Sequence, residues 1–340
     1  MENRKRIMGT TNFDIVQANV FLGASAITQG NVFFVKPGSG NDANDGKSPG
    51  SALKTLKQAK AMATANQNDI VYLMAESNTA ASTTDYQSEA LDWSKDGVHL
   101  IGIGAGPIIG QRARIAQTST VKTIEDLFTV SADNCYIAGI EVFQGVASST
   151  ATSPRAMVVS GQRNVIENCQ ISGMGDTSMD TAGARSLAVI YPGSENIFKH
   201  CYIGLDTTLR ATNVIEVAIT GTGVAARVAR TIFEDCIFNT YSSTATGKMV
   251  ACTYTDRFVM FKNCTFICAS GITSAVALTG VFSTSDINGK IIVQGSAAFG
   301  FGDWTTADDS TVLISSYNGV QDDDVTLVNI GIASASDVVD

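Results

Sequence analysis

Between residues 97 and 268 the apolar positions fall into a short phrase that repeats: an apolar residue, a turn pair, a core residue, a variable residue and a second apolar residue. It starts at Leu100-Ile101-Gly102-Ile103 and Ile137-Ala138-Gly139-Ile140-Glu141-Val142. It continues through Ile166-Glu167-Asn168-Cys169-Gln170-Ile171, Phe198-Lys199-His200-Cys201-Tyr202-Ile203, Phe233-Glu234-Asp235-Cys236-Ile237-Phe238 and Phe261-Lys262-Asn263-Cys264-Thr265-Phe266. The second turn position holds Gly102, Gly139, Asn168, His200, Asp235 and Asn263, residue types that tolerate left-handed backbone best. A strand that turns sharply at such a residue and resumes at once is the corner of a coil. With Ile103, Ile140, Cys169, Cys201, Cys236 and Cys264 taken as equivalent, the steps are 37, 29, 32, 35 and 28 residues. A fixed corner with variable steps places the insertions in loops of a stacked solenoid.

Each step also carries a second apolar run: Phe128-Thr129-Val130, Met157-Val158-Val159, Leu187 to Ile190, Val214 to Ile219 and Met249 to Cys252. Later runs, Ile291-Ile292-Val293, Thr311 to Ile314 and Val325 to Ile330, keep the texture but show no corner, so coils after about 290 are expected to be less regular. Upstream, Val32 to Val35 predicts a strand, Lys36 to Pro49 a turning loop, Leu53, Leu56, Ala59, Lys60 and Ala63 a helix over about 53–65, and Asp69 to Leu73 a strand. A lone helix before a run of coils suits an N-terminal cap over the exposed interior. The expected organisation is all-β, with an arm over 1–30 and one solenoid domain over 31–340.

Composition agrees: 44% apolar, only 16% charged, with 31 Gly and 5 Pro. A net charge of −9 speaks against nucleic acid as a partner, and no apolar run is long enough for a membrane span. The N-terminus lacks the uninterrupted apolar core of a signal peptide, so folding in a cytoplasm is expected. Of seven cysteines, four occupy one position of the repeat, which makes them core thiols rather than a metal set.

The sequence Val32-Phe33-Phe34-Val35, then Gly40-Asn41-Asp42-Ala43-Asn44-Asp45-Gly46-Lys47-Ser48, Lys54 to Ala59 and Asp69 to Leu73, resembles the opening of right-handed parallel β-helix proteins of the pectate-lyase-like superfamily. The corners that follow are similar to their coils, and the resemblance runs over about 32–295. It implies a right-handed parallel β-helix. Within that superfamily, an arm, an Asp/Gly-rich opening and no secretion signal are most similar to bacteriophage virion proteins, commonly homotrimers. The implied function is a non-enzymatic virion structural protein, a decoration or head-fibre-like element on the capsid surface, with the capsid and further copies of itself as partners and a trimer favoured. The implied alternative is a tailspike-type polysaccharide depolymerase or a glycan-binding receptor protein. Enzyme-like members usually carry Pro-Gly-x-Tyr after the strand that ends here at Leu73, where this chain has Met74-Ala75-Glu76-Ser77.

No catalytic, cofactor or metal residues are expected from the repeat. Its outward turn positions Glu167, Lys199, Glu234 and Lys262 alternate in sign, the pattern of cross-coil ion pairing rather than of two carboxylates facing a sugar. The strongest lyase-like set is Asp176, Asp180 and Arg185 in the Met174–Arg185 loop, and polar-loop duty explains it as well. Asp308-Asp309 and Asp322 to Asp324 have no companions, and Asn41 to Gly46 lacks the register of a calcium loop. One outward feature points to a partner. His99, Tyr136, Val165, Ile197, Ile232 and Met260 precede the inward residue of each corner and would stack into an apolar stripe. With it go Arg4, Lys5, Arg6, Ile15, Val16, Val20, Phe21 and Leu22 of the arm as candidate partner-binding residues.

Overall fold

The computed structural model of the chain describes residues 30–76, 84–104, 113–212, 214–270, 278–305 and 311–315. The expected arm up to residue 29, the Val325–Ile330 run, the pair Asp308-Asp309 and the triplet Asp322 to Asp324 lie outside them. Over the described residues the chain winds into a parallel β-solenoid of about seven turns, with one sheet of ten strands, one of eight and one of seven. A typical coil gives Val165–Glu167 to the ten-stranded sheet, Gln170–Ser172 to the eight-stranded sheet and Arg185–Ile190 to the seven-stranded sheet. The inward position of the ten-stranded sheet runs in register through Ile137, Ile166, Phe198, Phe233, Phe261, Val293 and Ile314.

The corner phrase is the turn between the ten- and eight-stranded sheets. Gly139, Asn168, His200, Asp235 and Asn263 have φ of 66°, 52°, 50°, 54° and 53°. This twist aims each corner N–H along the rod at the next coil: Asn168 donates to the Lys199 carbonyl at 2.9 Å, His200 to Glu234 at 3.0 Å, Asp235 to Lys262 at 2.9 Å and Asn263 to Gln294 at 2.8 Å. Two expectations need correction. Gly102 is no corner: it lies inside the strand His99–Ile103, and Ile103, at 41% exposure, is outside the core. A side chain at Gly102 would meet the Gly139 carbonyl, so the glycine serves close stacking there. Conversely, the coil of Asn288–Gln294 does not lose the corner. Gly295 has φ 59° and donates to the Ser315 carbonyl, and Ser296 takes the place of the column cysteine.

A second corner, where the seven-stranded sheet hands over to the ten-stranded one, was not legible as a repeat. Asn134, Arg163, Glu195 and Arg230 all have positive φ there, and arginine and glutamate carry no turn signature. The residue after it turns inward. Asn164 and Asn196 are fully buried; Asn164 Oδ1 accepts from Cys135 N–H, Asn196 Oδ1 accepts from Asn164 N–H, and their amide nitrogens donate to the Ala132 and Gly161 carbonyls.

Inside, like stacks on like. Phe198, Phe233 and Phe261 stack with centroids 4.7 and 4.9 Å apart, and Phe238 stacks on Phe266 at 4.7 Å. All seven cysteines are buried and none forms a disulfide. In the corner column each thiol donates to a carbonyl of the coil before: Cys169 to Ile137, Cys201 to Ile166, Cys236 to Phe198 and Cys264 to Phe233, at 3.5 to 3.7 Å. Burial raises the Cys201 thiol well above the ordinary range, and the contact with Cys236, followed by burial, raises that of Cys264, so both remain protonated.

The helix is shorter than expected. It spans Leu56–Met62 (α1), while Leu53 instead bridges Val35. Thr55 caps it through Gln58 N–H, and Leu56 and Ala59 enter the core beside Phe33 and Leu73. The acidic opening loop is held by its own backbone: Asp42 accepts from the N–H groups of Lys54 and Thr55, and Asp45 from that of Lys47.

Truncating the middle ring of the stack, Phe233→Ala, should cost about 3–5 kcal/mol in chemical denaturation. Asn263→Val forces a β-branched residue into left-handed backbone and should cost about 1–2 kcal/mol, whereas Asn263→Gly should cost less; a Val variant as stable as wild type would contradict the corner geometry.

Candidate functional site

The outer face of the ten-stranded sheet carries the expected apolar column. Tyr136, Val165, Ile197, Ile232 and Met260 follow one another in register and are half-buried. The column continues through Ile292 and Leu313, which the sequence repeat did not reveal. His99 does not belong to its exposed part. It is buried, and its Nδ1 accepts the Tyr136 N–H at 3.0 Å. Burial lowers its pKa to about 4, so the ring is neutral near pH 7.

Charged columns flank the apolar one. On the corner side, Glu234 sits between Lys199 at 3.5 Å and Lys262 at 2.7 Å, and Glu167 lies 3.6 Å from His200 and accepts the Tyr136 hydroxyl. The hydrogen bond from Lys262 holds the Glu234 carboxyl below the usual range. On the other side, Glu195 bridges Arg163 at 2.8 Å and Arg230 at 3.0 Å. The alternation in sign is therefore cross-coil pairing in two columns, of which the sequence suggested one.

The lyase-like set dissolves into structural duties. Asp176 accepts from Ser178 N–H in a short 3-10 turn, Asp180 accepts from the N–H groups of Ala211 and Thr212, and Arg185 donates to the Ala182 and Ala184 carbonyls. Beneath that loop lies an ion pair that the repeat pattern did not reveal. Arg210, 1% exposed, meets Glu216 at 2.8 Å, and the Glu216 carboxylate also accepts from the Ser186 and Thr240 hydroxyls. Its charges are enclosed, with Arg210 Nε facing Asp180 at 3.8 Å without a hydrogen bond, and the cluster ties neighbouring coils together away from solvent. Among the described residues no group of three or more His, Cys, Asp or Glu could hold a metal ion, and no helix is long and apolar enough to cross a membrane.

On the eight-stranded sheet a cleft of about 430 Å³ opens between Tyr86, Arg114, Gln117, Lys122, Phe143 and Val146. Tyr86 is half exposed there, and the Arg114 guanidinium lies 4.4 Å over the Phe143 ring and 3.4 Å from Glu141.

No family model and no curated protein matches the chain. Solved structures do. Pectate lyase Pel9A superposes with a TM-score of 0.57 at 14% identity, over 85% of this chain and 69% of that one. A rhamnogalacturonan lyase gives 0.52 at 16% identity, over 79% and 68%. Pectin methylesterase PemA from Erwinia chrysanthemi gives 0.50 at 15%, over 82% of each. These likenesses show the fold, a parallel β-helix. At these identities the likeness is one of backbone path, and a β-helix hosts unrelated chemistries.

Two predictions test the assigned duties. Arg210→Met leaves Glu216 buried without its cation and should destabilise the protein by about 3–5 kcal/mol, read as a fall in the denaturation midpoint. For His99 the folded pKa lies below the usual value of about 6.5. Its contribution is therefore full above that pH and is lost as pH falls toward 4, by up to about 3 kcal/mol. Asp85, which burial raises to about 6, acts in the opposite sense, its contribution being full below about 3.8 and lost as pH rises through 6. The readout is therefore the difference between wild type and His99→Asn, which keeps an acceptor for Tyr136 N–H. The variant should lose less stability between pH 6.5 and 4, and identical pH profiles would refute the assignment.

Proposed function

We propose that this chain is a non-enzymatic structural β-helix of the bacteriophage virion type, a capsid-associated decoration or head-fibre-like rod. The observation that carries the non-enzymatic part is the use of its charged groups. Lys199, Glu234 and Lys262 pair across coils, Glu167 lies beside His200 and accepts the Tyr136 hydroxyl, and Asp176, Asp180 and Arg185 hold backbone in place. A glycan-cleaving site needs a carboxylate pair facing a sugar-binding groove, and these acids are aimed at N–H groups and cations of their own chain. The virion part rests on the resemblance of the Val32–Leu73 opening to phage β-helices. The named relatives, two lyases and an esterase, support the backbone shape and leave chemistry open.

A second reading, glycan binding without cleavage, is favoured by the cleft at Tyr86 and Phe143, since an exposed aromatic face beside polar groups suits a sugar ring. Incubation of the purified protein with pectin, polygalacturonate and host surface polysaccharide should release no reducing ends or unsaturated uronides; release would overturn the non-enzymatic reading. Titration with the same glycans tests the second reading, in which Tyr86→Ala weakens binding at least about tenfold. Removing residues 1–30 should abolish capsid association. Undiminished association would mean that attachment lies elsewhere on the chain.

A further inference from the structure

The outer face of the ten-stranded sheet has a property that intramolecular pairing does not require. Across three successive coils, the residue two before the apolar column and the residue two after it carry opposite charges, and the order reverses from coil to coil. The successive rows are Arg163, Val165, Glu167; Glu195, Ile197, Lys199; and Arg230, Ile232, Glu234. Pairing along the rod fixes alternation within a column but not the phase between columns, so like charges could equally have shared a row. The opposed phase makes the face complementary to itself.

We propose that this face is the interface between two copies of the chain, packed side by side and parallel about a two-fold axis that runs along the apolar column. That axis sets Arg163 of one copy opposite Glu167 of the second, Glu195 opposite Lys199 and Arg230 opposite Glu234. Each apolar residue meets its own equivalent, as an isologous contact demands. An antiparallel pair centred between Ile197 and Ile232 leaves Arg163 facing Phe258, as the parallel pair leaves Lys262, but it also sets Leu313 against the row of the buried His99, whereas the parallel pair keeps the whole apolar column on itself. A three-fold arrangement, the expectation drawn from phage homotrimers, also opposes the columns but holds the central residues of three flat faces away from the axis. Two flat faces close directly at about 10 Å and bury the column from Tyr136 to Leu313. With seven coils of about 4.8 Å and a face about 13–15 Å wide, roughly 1,000 Å² is buried in total, the lower limit for a specific interface. The dimer should therefore be weak and reversible on dilution. Its formation does not depend on whether the rod is enzymatic.

The test is the mass in solution of the full chain by sedimentation or light scattering over about a hundredfold range of micromolar concentration. The expected result is a monomer–dimer equilibrium. Ile232→Glu and Val165→Glu change outward side chains that do not enter the core, so each should give a monomer with an unchanged thermal midpoint; if either unfolds, the other decides. Because the native cysteines are buried, Ile197→Cys and Ile232→Cys can be joined by a short bismaleimide. A parallel two-fold predicts that each links to its own kind. A wild-type monomer at every concentration, a trimer, dimers that survive both Glu variants, or linking of 197 only to 232 would each overturn the proposal, and none of these outcomes would touch the glycan assay that tests the non-enzymatic reading.

Discussion

A parallel coil can stack only if the backbone at its corners, where strand pairing stops, still finds partners one coil away. The left-handed residues Gly139, Asn168, His200, Asp235, Asn263 and Gly295 meet that demand by turning an N–H along the rod to the neighbouring carbonyl. Without them each corner would leave a polar group unpaired at every turn, at a cost comparable to a lost hydrogen bond. Asn164 and Asn196 answer the same demand from inside at the opposite end of the sheet, with side-chain amides serving as extra backbone. The three sheets hang on these corners.

Stacking in register brings equivalent positions to about the interstrand spacing, and opposite rules then hold inside and outside. Inside, identity is favourable. Phenylalanine rings at that spacing stack, and a column of thiols each finds a carbonyl of the coil before. Outside, identity is unfavourable for charges, so the columns Glu167–Lys199–Glu234–Lys262 and Arg163–Glu195–Arg230 alternate. Apolar residues escape that rule, and the row from Tyr136 to Leu313 repeats without a break. A continuous apolar row on a flat sheet is the feature of this surface that gains most from being covered.

The functional reading follows from where the acids are spent. An enzyme on this scaffold would hold carboxylates in reserve, facing a groove with their pairing incomplete. Here Asp42, Asp45, Asp176 and Asp180 hold N–H groups, and Glu216 is sealed with Arg210. The aromatic cleft at Tyr86 stands apart from this pattern, being open to solvent and lined by both rings and cations.

The sequence by itself determined the coil, because a corner that needs left-handed backbone admits few residue types and so leaves a visible signature at Asn168, Asp235 and Asn263. It also determined the inward column and the outward apolar stripe, since strand alternation assigns faces once one residue of the phrase is placed. It misjudged Gly102, Ile103 and Gly295, because glycine marks close approach as readily as a turn and serine replaced the telltale cysteine at 296. Only the tertiary structure decided the second corner, where Arg163 and Glu195 accept strained backbone in exchange for ion pairs between coils. Only it could reveal the Arg210–Glu216 pair and the opposed phase of the two charged columns. The pair itself joins residues only six apart, but it is enclosed by Ser186 and Thr240, 30 and 24 residues away on neighbouring coils, and the charged columns likewise join residues about 30 apart, a register that the variable loops erase from the linear chain.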